Sequence, residues 1–326
     1  MAKSKKEISD SGQMGFAFDF SDAPEETNSP SPQLSEDTAT VPAAPKRPSL
    51  FFMSMGSGSS GNCCYLGCEQ FGILIDAGVD SDKVFESLAK NGVKPEAVKA
   101  VLLTHDHGDH VRYAYKIVRK YKHIRIYCTP KLLTGMLRRH NISSRVKDYH
   151  QQIWKEIPFR IADMDIIAFE VSHDGTDNCG FFINFGGRRF VISPDQGEIT
   201  PRSAFYMKQA EYLMVESNYD CNMLDNGAYP ESLKNRIRNP KGHLDNKITA
   251  EFVAANYSKD LKYLFLCHLS ADNNTPELAR NEMTRSLEAI GLSVGDGSDH
   301  ITQRDKDIQL VILPRFDNSL WFIFND

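Results

Sequence analysis

The chain has 326 residues, of which 41% are hydrophobic and 25% charged, as in a globular protein with one large domain or two small ones. No apolar run approaches the roughly 20 residues of a transmembrane helix, and no signal-peptide core follows the basic residues 1–6, which favours a cytoplasmic protein. The net charge of −5 weakly disfavours nucleic-acid binding. The seven cysteines form no CxxC pair, so we expect reduced, mostly buried thiols.

Residues 1–48 differ in composition from the rest of the chain. They are rich in Ser, Pro, Asp, Glu and Thr and show no sustained hydrophobic periodicity, which predicts a disordered N-terminal tail. The alternating Phe16, Phe18 and Phe20 could dock on a protein partner, although a few aromatic residues in a flexible tail are the simpler interpretation. We therefore expect one folded domain over residues 49–326.

From residue 49 onward, short apolar strands alternate with amphipathic helices. The predicted strands cover residues 50–55, 63–66, 72–75, 98–103, 166–171, 181–185, 189–192, 212–215, 263–267, 308–313 and 320–324. The predicted helices cover residues 83–91, 111–121, 131–140, 230–238, 247–257 and 276–290. Polar side chains gather just after the strands, which is where α/β proteins build their sites. The pattern predicts an α/β (α+β) fold.

The most informative stretch is residues 104–110, which follow a predicted buried strand. Its three imidazoles and two carboxylates cannot all find partners in an apolar core, whereas two divalent cations would satisfy most of them. His173, Asp195 and His268 follow three later strands in the same way. A lone histidine at such a position is more often a hydrogen-bonded loop residue, but the four sites together predict a metal centre.

The pattern His-x-His-x-Asp-His, followed by spaced His, Asp and His residues, resembles the metallo-β-lactamase superfamily across residues 50–313. Four further strings resemble its YycJ/WalJ-type bacterial branch, whose members are regarded as metal-dependent DNA exonucleases: residues 56–62, 216–220, 242–246 and 268–279. Asp245 and Tyr219 depart from the serine and histidine expected in those strings. The resemblance implies a four-layer αββα sandwich, with residues 49–326 as the catalytic domain.

The resemblance also implies a ligand set. The first metal would be held by His105, His107 and His173, and the second by Asp109, His110 and His268, with Asp195 bridging the two. Imidazole and carboxylate ligands suit zinc, manganese or iron, and two such ions can share a hydroxide that attacks phosphorus in line. A bridging aspartate rather than a cysteine favours hydrolysis at phosphorus, and Asp109 is counted among the catalytic residues. We expect Asp106 to hydrogen-bond a ligand histidine.

Two loops offer groups for substrate binding. The glycine-serine turn at residues 56–62 could present N–H groups and hydroxyls to a phosphate, or could simply connect two strands. His243 could clamp a phosphate or protonate the leaving group, with a solvated loop histidine as the alternative. The predicted substrate-binding residues are Ser57, Ser59, Ser60, Asn62, Asn218 and His243, and the last is also predicted to be catalytic.

Residues 112–160 carry 13 Lys and Arg against two acidic residues, a formal charge of +11 in an otherwise acidic chain. Charge runs are usually solvated surface, but one this uneven beside a metal loop favours binding of a DNA or RNA backbone. We therefore predict a two-metal phosphodiesterase, specifically the 5′-to-3′ DNA exonuclease that the resemblance implies. The alternatives are an RNA or small-molecule phosphodiesterase, a thioester hydrolase of the same fold, and a non-catalytic nucleic-acid-binding scaffold.

Overall fold

The computed structural model describes residues 47–298 and 305–325. Nearly all of the predicted tail, including its aromatic docking motif, lies outside the described residues. Arg47 and Pro48 already belong to the described fold, because the Arg47 guanidinium pairs with Glu211 at 2.7 Å and the Pro48 carbonyl accepts a hydrogen bond from Arg188. The fold thus includes two residues before the predicted domain start at residue 49.

The first of two sheets holds the N-terminal strands. In the described residues its strands are β1 (Leu50–Gly56), β2 (Cys63–Gly67), β3 (Gly72–Ile75), β4 (Val98–Leu102), β5 (Arg125–Cys128), β6 (His150–Gln152) and β15 (Phe322–Phe324). Their order is β15-β1-β2-β3-β4-β5-β6. Strands β3 to β6 run parallel. The carboxyl ends of β3 and β4 therefore lie at the same edge.

The second sheet holds the later strands. In the described residues these are β7 (Phe159–Ile161), β8 (Met164–Glu170), β9 (Cys179–Phe185), β10 (Arg188–Ser193), β11 (Tyr212–Glu216), β12 (Tyr263–Cys267), β13 (Val294–Gly295) and β14 (Ile308–Ile312). Their order is β13-β14-β12-β11-β10-β9-β8-β7. Strands β10, β11, β12 and β14 are parallel, and β8 shares their direction because β9 is antiparallel to both β8 and β10.

Helices cover the outer face of each sheet. The α-helices of the described residues are α1 (Ser81–Lys90), α2 (Gly108–Val111), α3 (Ala114–Lys120), α4 (Pro130–Arg139), α5 (Pro201–Met207), α6 (Cys221–Asn226), α7 (Glu231–Arg238), α8 (Asn246–Ala255) and α9 (Pro276–Glu288). One apolar cluster fills the space between the sheets, a second packs α1, α3 and α4 on the first sheet, and a third packs α5, α8 and α9 on the second. The predicted αββα sandwich is confirmed.

The predicted helix at residues 111–121 is wrong at its start, where the chain forms α2 and α3 instead. Tyr113 interrupts the helix because its N–H donates to the Ala77 carbonyl at 2.8 Å, while the Ala77 N–H donates to the His110 carbonyl at 2.7 Å. None of the seven cysteines is in a disulfide, and all but Cys221 are buried. Among the described residues, no helix is both long enough and apolar enough to cross a membrane.

Candidate metal centre

Seven candidate ligands converge where the two sheets present their carboxyl ends. Four lie in the loop after β4 and in α2, and the other three follow β8, β10 and β12. The ligand atoms fall into groups in which all lie within 4.8 Å of one another: His105, His107 and His173; Asp109, His110 and His268; and His105, His110 and Asp195. The fold thus brings together every residue that the resemblance implies as a metal ligand.

The spacing of the ligand atoms suits a metal ion. His107 Nδ1 and His173 Nε2 are 3.3 Å apart, close to the separation of about 3.3 Å expected for two nitrogens on a tetrahedral zinc ion. Asp109 Oδ2 lies 3.5 Å from His268 Nε2. The Nε2 atoms of His105 and His268 are buried without a hydrogen-bond partner among the described residues. A metal ion in each group would satisfy these nitrogens.

Asp195 lies between the two groups. Its Oδ2 atom is 3.3 Å from His268 Nε2, 3.6 Å from His110 Nε2 and 3.9 Å from the Nε2 atoms of both His105 and His173. Although burial raises the pKa of Asp195, His268, His110 and His105 more than offset this and hold it well below its usual value. The carboxylate is therefore ionised at neutral pH and faces both groups, as a bridging ligand must.

The protonation of the histidines also fits a metal site. Burial, helped by the neighbouring imidazoles, lowers the pKa of His107 to about 4, so this ring is neutral at pH 7, the form that binds metals. Burial lowers the pKa of His268 as well, but Asp195, Asp109 and Glu216 outweigh it and raise that pKa to about 10. This surplus of carboxylates favours a bound cation, which would replace the proton on His268.

Asp76, directly after β3, supports the ligands of the first sheet. Its Oδ2 lies 2.7 Å from His110 Nδ1, and its carboxylate accepts hydrogen bonds from the N–H and hydroxyl of Thr104 at 2.9 and 2.8 Å. Because the carboxylate holds the Nδ1–H of His110, the Nε2 atom is left to face Asp109 and Asp195. The sequence prediction missed Asp76, although a carboxylate directly after an apolar strand is the available signal.

Glu216, the last residue of β11, supports a ligand of the second sheet. Its side chain is fully buried, and Oε1 lies 2.6 Å from His243 Nδ1 and 3.1 Å from His268 Nδ1. Asn218, predicted to bind substrate, is buried and donates from Nδ2 to the His268 carbonyl at 2.7 Å. Both side chains therefore orient His268. The sequence prediction gave Glu216 no role.

Asp174 and Arg236 form a further support at the rim, which the sequence prediction also missed. The Asp174 Oδ1 atom lies 3.0 Å from His107 Nε2, and its Oδ2 accepts from the Arg236 guanidinium at 2.8 Å. With Nε2 beside this carboxylate, Nδ1 of His107 faces His173 Nε2 at 3.3 Å. The Nδ1–H of His173 in turn donates to the Gly242 carbonyl at 2.8 Å, so Nε2 points into the centre.

The expected hydrogen bond between Asp106 and a ligand histidine is wrong. The buried Asp106 carboxylate instead accepts from the N–H and hydroxyl of Thr176 at 2.8 and 2.5 Å, and from Arg139 at 3.4 Å. It therefore ties the loop after β8 and the end of α4 to the metal loop, because a buried carboxylate needs several donors.

The glycine-serine turn divides into buried and exposed residues. Ser57 is buried and its hydroxyl accepts from the His268 N–H at 2.9 Å. Asn62 is also buried, accepts from the Gly58 N–H at 2.8 Å and places Nδ2 3.3 Å from Asp109 Oδ2. Ser59 and Ser60 are exposed. Only these two of the four predicted residues in the turn present their side chains to solvent, whereas Ser57 and Asn62 support metal-ligand residues.

His243 stands at the opening of the centre. Its side chain is 20% exposed, and its ring centroid lies 5.1 Å from that of His173 and 5.3 Å from that of His268. Burial lowers its pKa, but Glu216, with help from Asp195, outweighs burial and raises the pKa above the usual value. The ring can therefore hold a proton near neutral pH, and Glu216 occupies Nδ1, which leaves Nε2 as the group that can donate outward.

The basic segment 112–160 is only partly neutralised. Six of its 13 basic residues have an acidic partner within 4 Å: Lys116, Lys120, Arg139, Arg145, Lys155 and Arg160. The other seven form no such ion pair with the described residues. Helix α4 ends beside the metal loop, because His140 Nε2 lies 2.6 Å from the Asp106 carbonyl oxygen. Positive charge thus reaches the rim of the centre.

Comparison with known proteins identifies the family. Residues 72–265 match a family model described as the beta-lactamase superfamily domain. The chain is 33% identical over 248 residues to Exodeoxyribonuclease YycJ of Bacillus anthracis, covering 76% of this chain and 92% of that protein. The chain belongs to the YycJ/WalJ branch of the metallo-β-lactamase superfamily. Exodeoxyribonuclease WalJ of Streptococcus pneumoniae D39 is also 33% identical over 242 residues, covering 74% of this chain and 89% of that protein.

Solved structures share the metallo-β-lactamase fold. The metallo-β-lactamase fold protein YhfI from Bacillus subtilis superposes with a TM-score of 0.59 at 14% identity, covering 85% of this chain and 100% of that chain. Zn(2+)-bound PqqB from Methylobacterium extorquens gives a TM-score of 0.57 at 16% identity, covering 83% and 99%. At these identities the likeness concerns the fold alone. Family and fold together make the chain a metal-dependent hydrolase.

Proposed function

We propose that this protein is a cytoplasmic DNA exonuclease that degrades its substrate in the 5′-to-3′ direction with two divalent ions, zinc or manganese, with iron as an alternative. One observation supports the proposal: two ligand groups with Asp195 between them, and His243 beside them, occur in a chain 33% identical to relatives named exodeoxyribonuclease. The bacterial origin of those relatives supports the cytoplasmic location.

The chemistry divides between the ions and the side chains. Metal ions bound to these ligands would lower the pKa of a water molecule and so provide an attacking group at neutral pH. Asp195 and Asp109 would add the negative charge that holds such cations. Glu216 keeps the Nδ1–H of His243 in place, at 2.6 Å, so that Nε2 can donate a proton to the leaving oxygen as it departs.

Substrate binding follows from charge. A DNA backbone carries one phosphate per nucleotide. Seven basic residues of segment 112–160 have no acidic partner in the part of the chain that the structure describes, and they offer the complementary charge. Ser59 and Ser60, exposed on the glycine-serine turn, can donate hydroxyl hydrogen bonds to a phosphate. Binding of this kind weakens as salt rises, because counterions compete for the phosphates.

The direct test incubates the purified protein with Mn²⁺ or Zn²⁺ and duplex DNA labelled at the 5′ or the 3′ end. The matched RNA duplex and bis-p-nitrophenyl phosphate serve as comparison substrates, and Asp109→Ala is the inactive control. We expect stepwise loss of nucleotides from the 5′ end of DNA, with a rate that falls steeply between 50 and 200 mM salt, by about a factor of ten or more.

Other outcomes discriminate between the alternatives. Turnover of bis-p-nitrophenyl phosphate without degradation of DNA would assign a small-molecule phosphodiesterase. Preferred degradation of the RNA duplex would assign a ribonuclease. A protein that binds DNA but contains no metal after purification and reconstitution would be a non-catalytic scaffold.

A further inference from the structure

The segment that follows β14 lies next to the metal centre. Strand β14 is parallel to β12, and the Leu313 N–H donates to the Leu266 carbonyl at 2.9 Å. The chain therefore leaves β14 at the same edge at which His268 follows β12. Ser57 links the two segments, because its N–H donates to the Arg315 carbonyl at 3.3 Å and its hydroxyl accepts from the His268 N–H at 2.9 Å.

The Arg315 guanidinium forms no close ion pair within the described residues, and the Asp272 carboxylate acts on its charge only from a longer distance. Its Nε and Nη1 atoms are buried without a hydrogen-bond partner, and no described carboxylate lies within 4 Å of it. A β-carbon added at Gly58 would lie 3.3 Å from Nε, so the guanidinium packs against the glycine-serine turn. A partly buried cation without a partner costs free energy unless an anion binds beside it.

An exposed aromatic ring follows directly. Phe316 is 71% exposed, the largest exposed fraction among the large hydrophobic side chains of the described residues, and the Arg315 guanidinium lies 5.1 Å from its ring centroid. Proteins that bind single-stranded nucleic acid use such a pair of groups: the cation binds a phosphate and the aromatic ring stacks on a base.

Both residues line a cavity of about 430 Å³ between the glycine-serine turn, α1 and the segment after β14. This volume is within the range of about 300–1,000 Å³ for small-ligand sites. Part of the wall is formed by Gly61 and Gly78, and Gly78 packs against the backbone of the candidate ligand Asp109. The cavity therefore borders the backbone segment that packs against Asp109, although none of the seven candidate ligands is among its lining residues.

The charges around the cavity favour an anion. Its cationic wall residues are Lys83, Lys90, Arg112 and Arg315, and its acidic ones are Asp80, Glu86 and Asp317. Asp80 is already paired with Lys116 at 3.1 Å, which lies outside the wall. Four cations thus face two acidic groups that have no ion-pair partner among the described residues.

We propose that this cavity is a nucleotide subsite that receives the terminal nucleotide of the strand being degraded, with the terminal phosphate on Arg315 and the base on the ring of Phe316. The assignment rests on the proposed nuclease function. It explains why the Arg315 guanidinium has no close carboxylate partner among the described residues, and why the phenylalanine beside it remains exposed.

The test compares two duplexes that differ only in the 5′ end, one phosphorylated and one with a free hydroxyl, on the metal-loaded protein. We expect the wild type to have a KM about tenfold lower for the phosphorylated end, because a guanidinium–phosphate pair is charge-assisted. Arg315→Met, which keeps the apolar stem, should remove this difference by raising only the KM for the phosphorylated end. Arg315→Lys should restore part of it. Phe316→Ala should raise both KM values about tenfold through lost stacking.

The controls separate this effect from general damage. Lys259→Met removes an exposed cation at the amino end of β12, and Phe205→Ala removes a half-exposed phenylalanine on α5. Both should leave the two KM values unchanged, and every variant should keep its metal content and thermal midpoint. Titration with dTMP, thymidine and inorganic phosphate gives an independent reading, in which dTMP should bind most tightly and lose about tenfold in Arg315→Met.

The outcomes distinguish the two proposals. Degradation of DNA with the same KM difference in the wild type and in Arg315→Met would overturn the subsite and leave the nuclease function intact. Unchanged dTMP affinity in both Arg315→Met and Phe316→Ala would do the same. A wild-type protein that does not degrade DNA would overturn the nuclease function and, with it, the role of the cavity at a strand end.

Discussion

The first sheet contributes its candidate metal ligands from one segment of the sequence, whereas the second sheet contributes its ligands from three separate segments. His105, His107, Asp109 and His110 come from a single loop and the helix α2 that follows it. His173, Asp195 and His268 follow three strands that are far apart in the sequence. The first group is thus a local property of the chain. The second exists only because parallel strands end at the same edge of a sheet.

The two halves nevertheless support their ligands alike. Asp76 directly follows β3 with φ of 62°, and His268 directly follows β12 with φ of 56°, a left-handed conformation that non-glycine residues rarely adopt. Each such residue costs about 1–3 kcal/mol, which the surrounding hydrogen bonds must offset. In both halves a buried carboxylate, Asp76 or Glu216, lies at the Nδ1 atom of a ligand histidine. Substitutions can therefore disturb the ligands of both sheets or those of one sheet alone.

The largest effect is expected at Asp195, which both halves share. Replacement of Asp195 by alanine removes the carboxylate that lies within 3.9 Å of four imidazole nitrogens. We expect turnover of DNA to fall at least about a thousandfold, since ligation of the ions contributes several kcal/mol to transition-state stabilisation. Kinetics together with metal analysis check this, with the exposed Asp163→Ala as control. Full metal content and turnover within tenfold of the wild type would show that Asp195 is not a ligand.

The next largest effect is expected at His243. This residue lies beside the ligands of the second sheet but is in neither of the two groups of three candidate ligands. His243→Ala should lower turnover about a hundredfold through loss of the proton donor, while metal content stays the same. Single-turnover kinetics and metal analysis measure both quantities on one preparation. Parallel loss of metal and activity would make His243 a structural residue instead.

A matched pair of variants then compares the two supports directly. Asp76→Asn and Glu216→Gln each replace a carboxylate at the Nδ1 of a ligand histidine by an amide of the same shape, and each should weaken metal affinity about 10–100-fold. We expect the larger loss in Asp76→Asn, because Asn218 Nδ2 still holds His268 through its carbonyl oxygen, at 2.7 Å, when the Glu216 carboxylate is removed. Competition with a chelator measures the affinities. Equal losses would mean that Asn218 contributes nothing to the position of His268.

The smallest expected effect concerns helix caps in the two halves. Thr129 caps α4 through the Leu132 N–H and Thr275 caps α9 through the Leu278 N–H, both at 3.1 Å. Thr275→Ala should lower the free energy of unfolding by about 1 kcal/mol. Thr129→Ala should cost about twice that, because its hydroxyl also donates to Asp177 at 2.5 Å. Urea unfolding measures both, and equal values would show that the Asp177 contact adds no stability.

Most of the strands and helices could be predicted from the local pattern of apolar and polar residues. Strands β3 and β12 occur at their predicted residues, since each is a short apolar run bounded by polar or glycine residues. Strand β5 was missed because Arg-Ile-Tyr-Cys is not a continuous apolar run, and β6 was missed because its three residues, His-Gln-Gln, are all polar. Helix α5 was missed as well, although Thr200 and Pro201 mark its start.

The sequence by itself determined which residue types could hold a metal, because three imidazoles and two carboxylates in one six-residue loop have no apolar alternative. Only the tertiary structure decided what surrounds them. It buried Ser57, Asn62 and Asn218 as supports and placed Arg315 beside the turn. These relationships depend on which strand ends meet and on where each backbone turn aims its side chain, and neither is encoded within a few neighbouring residues.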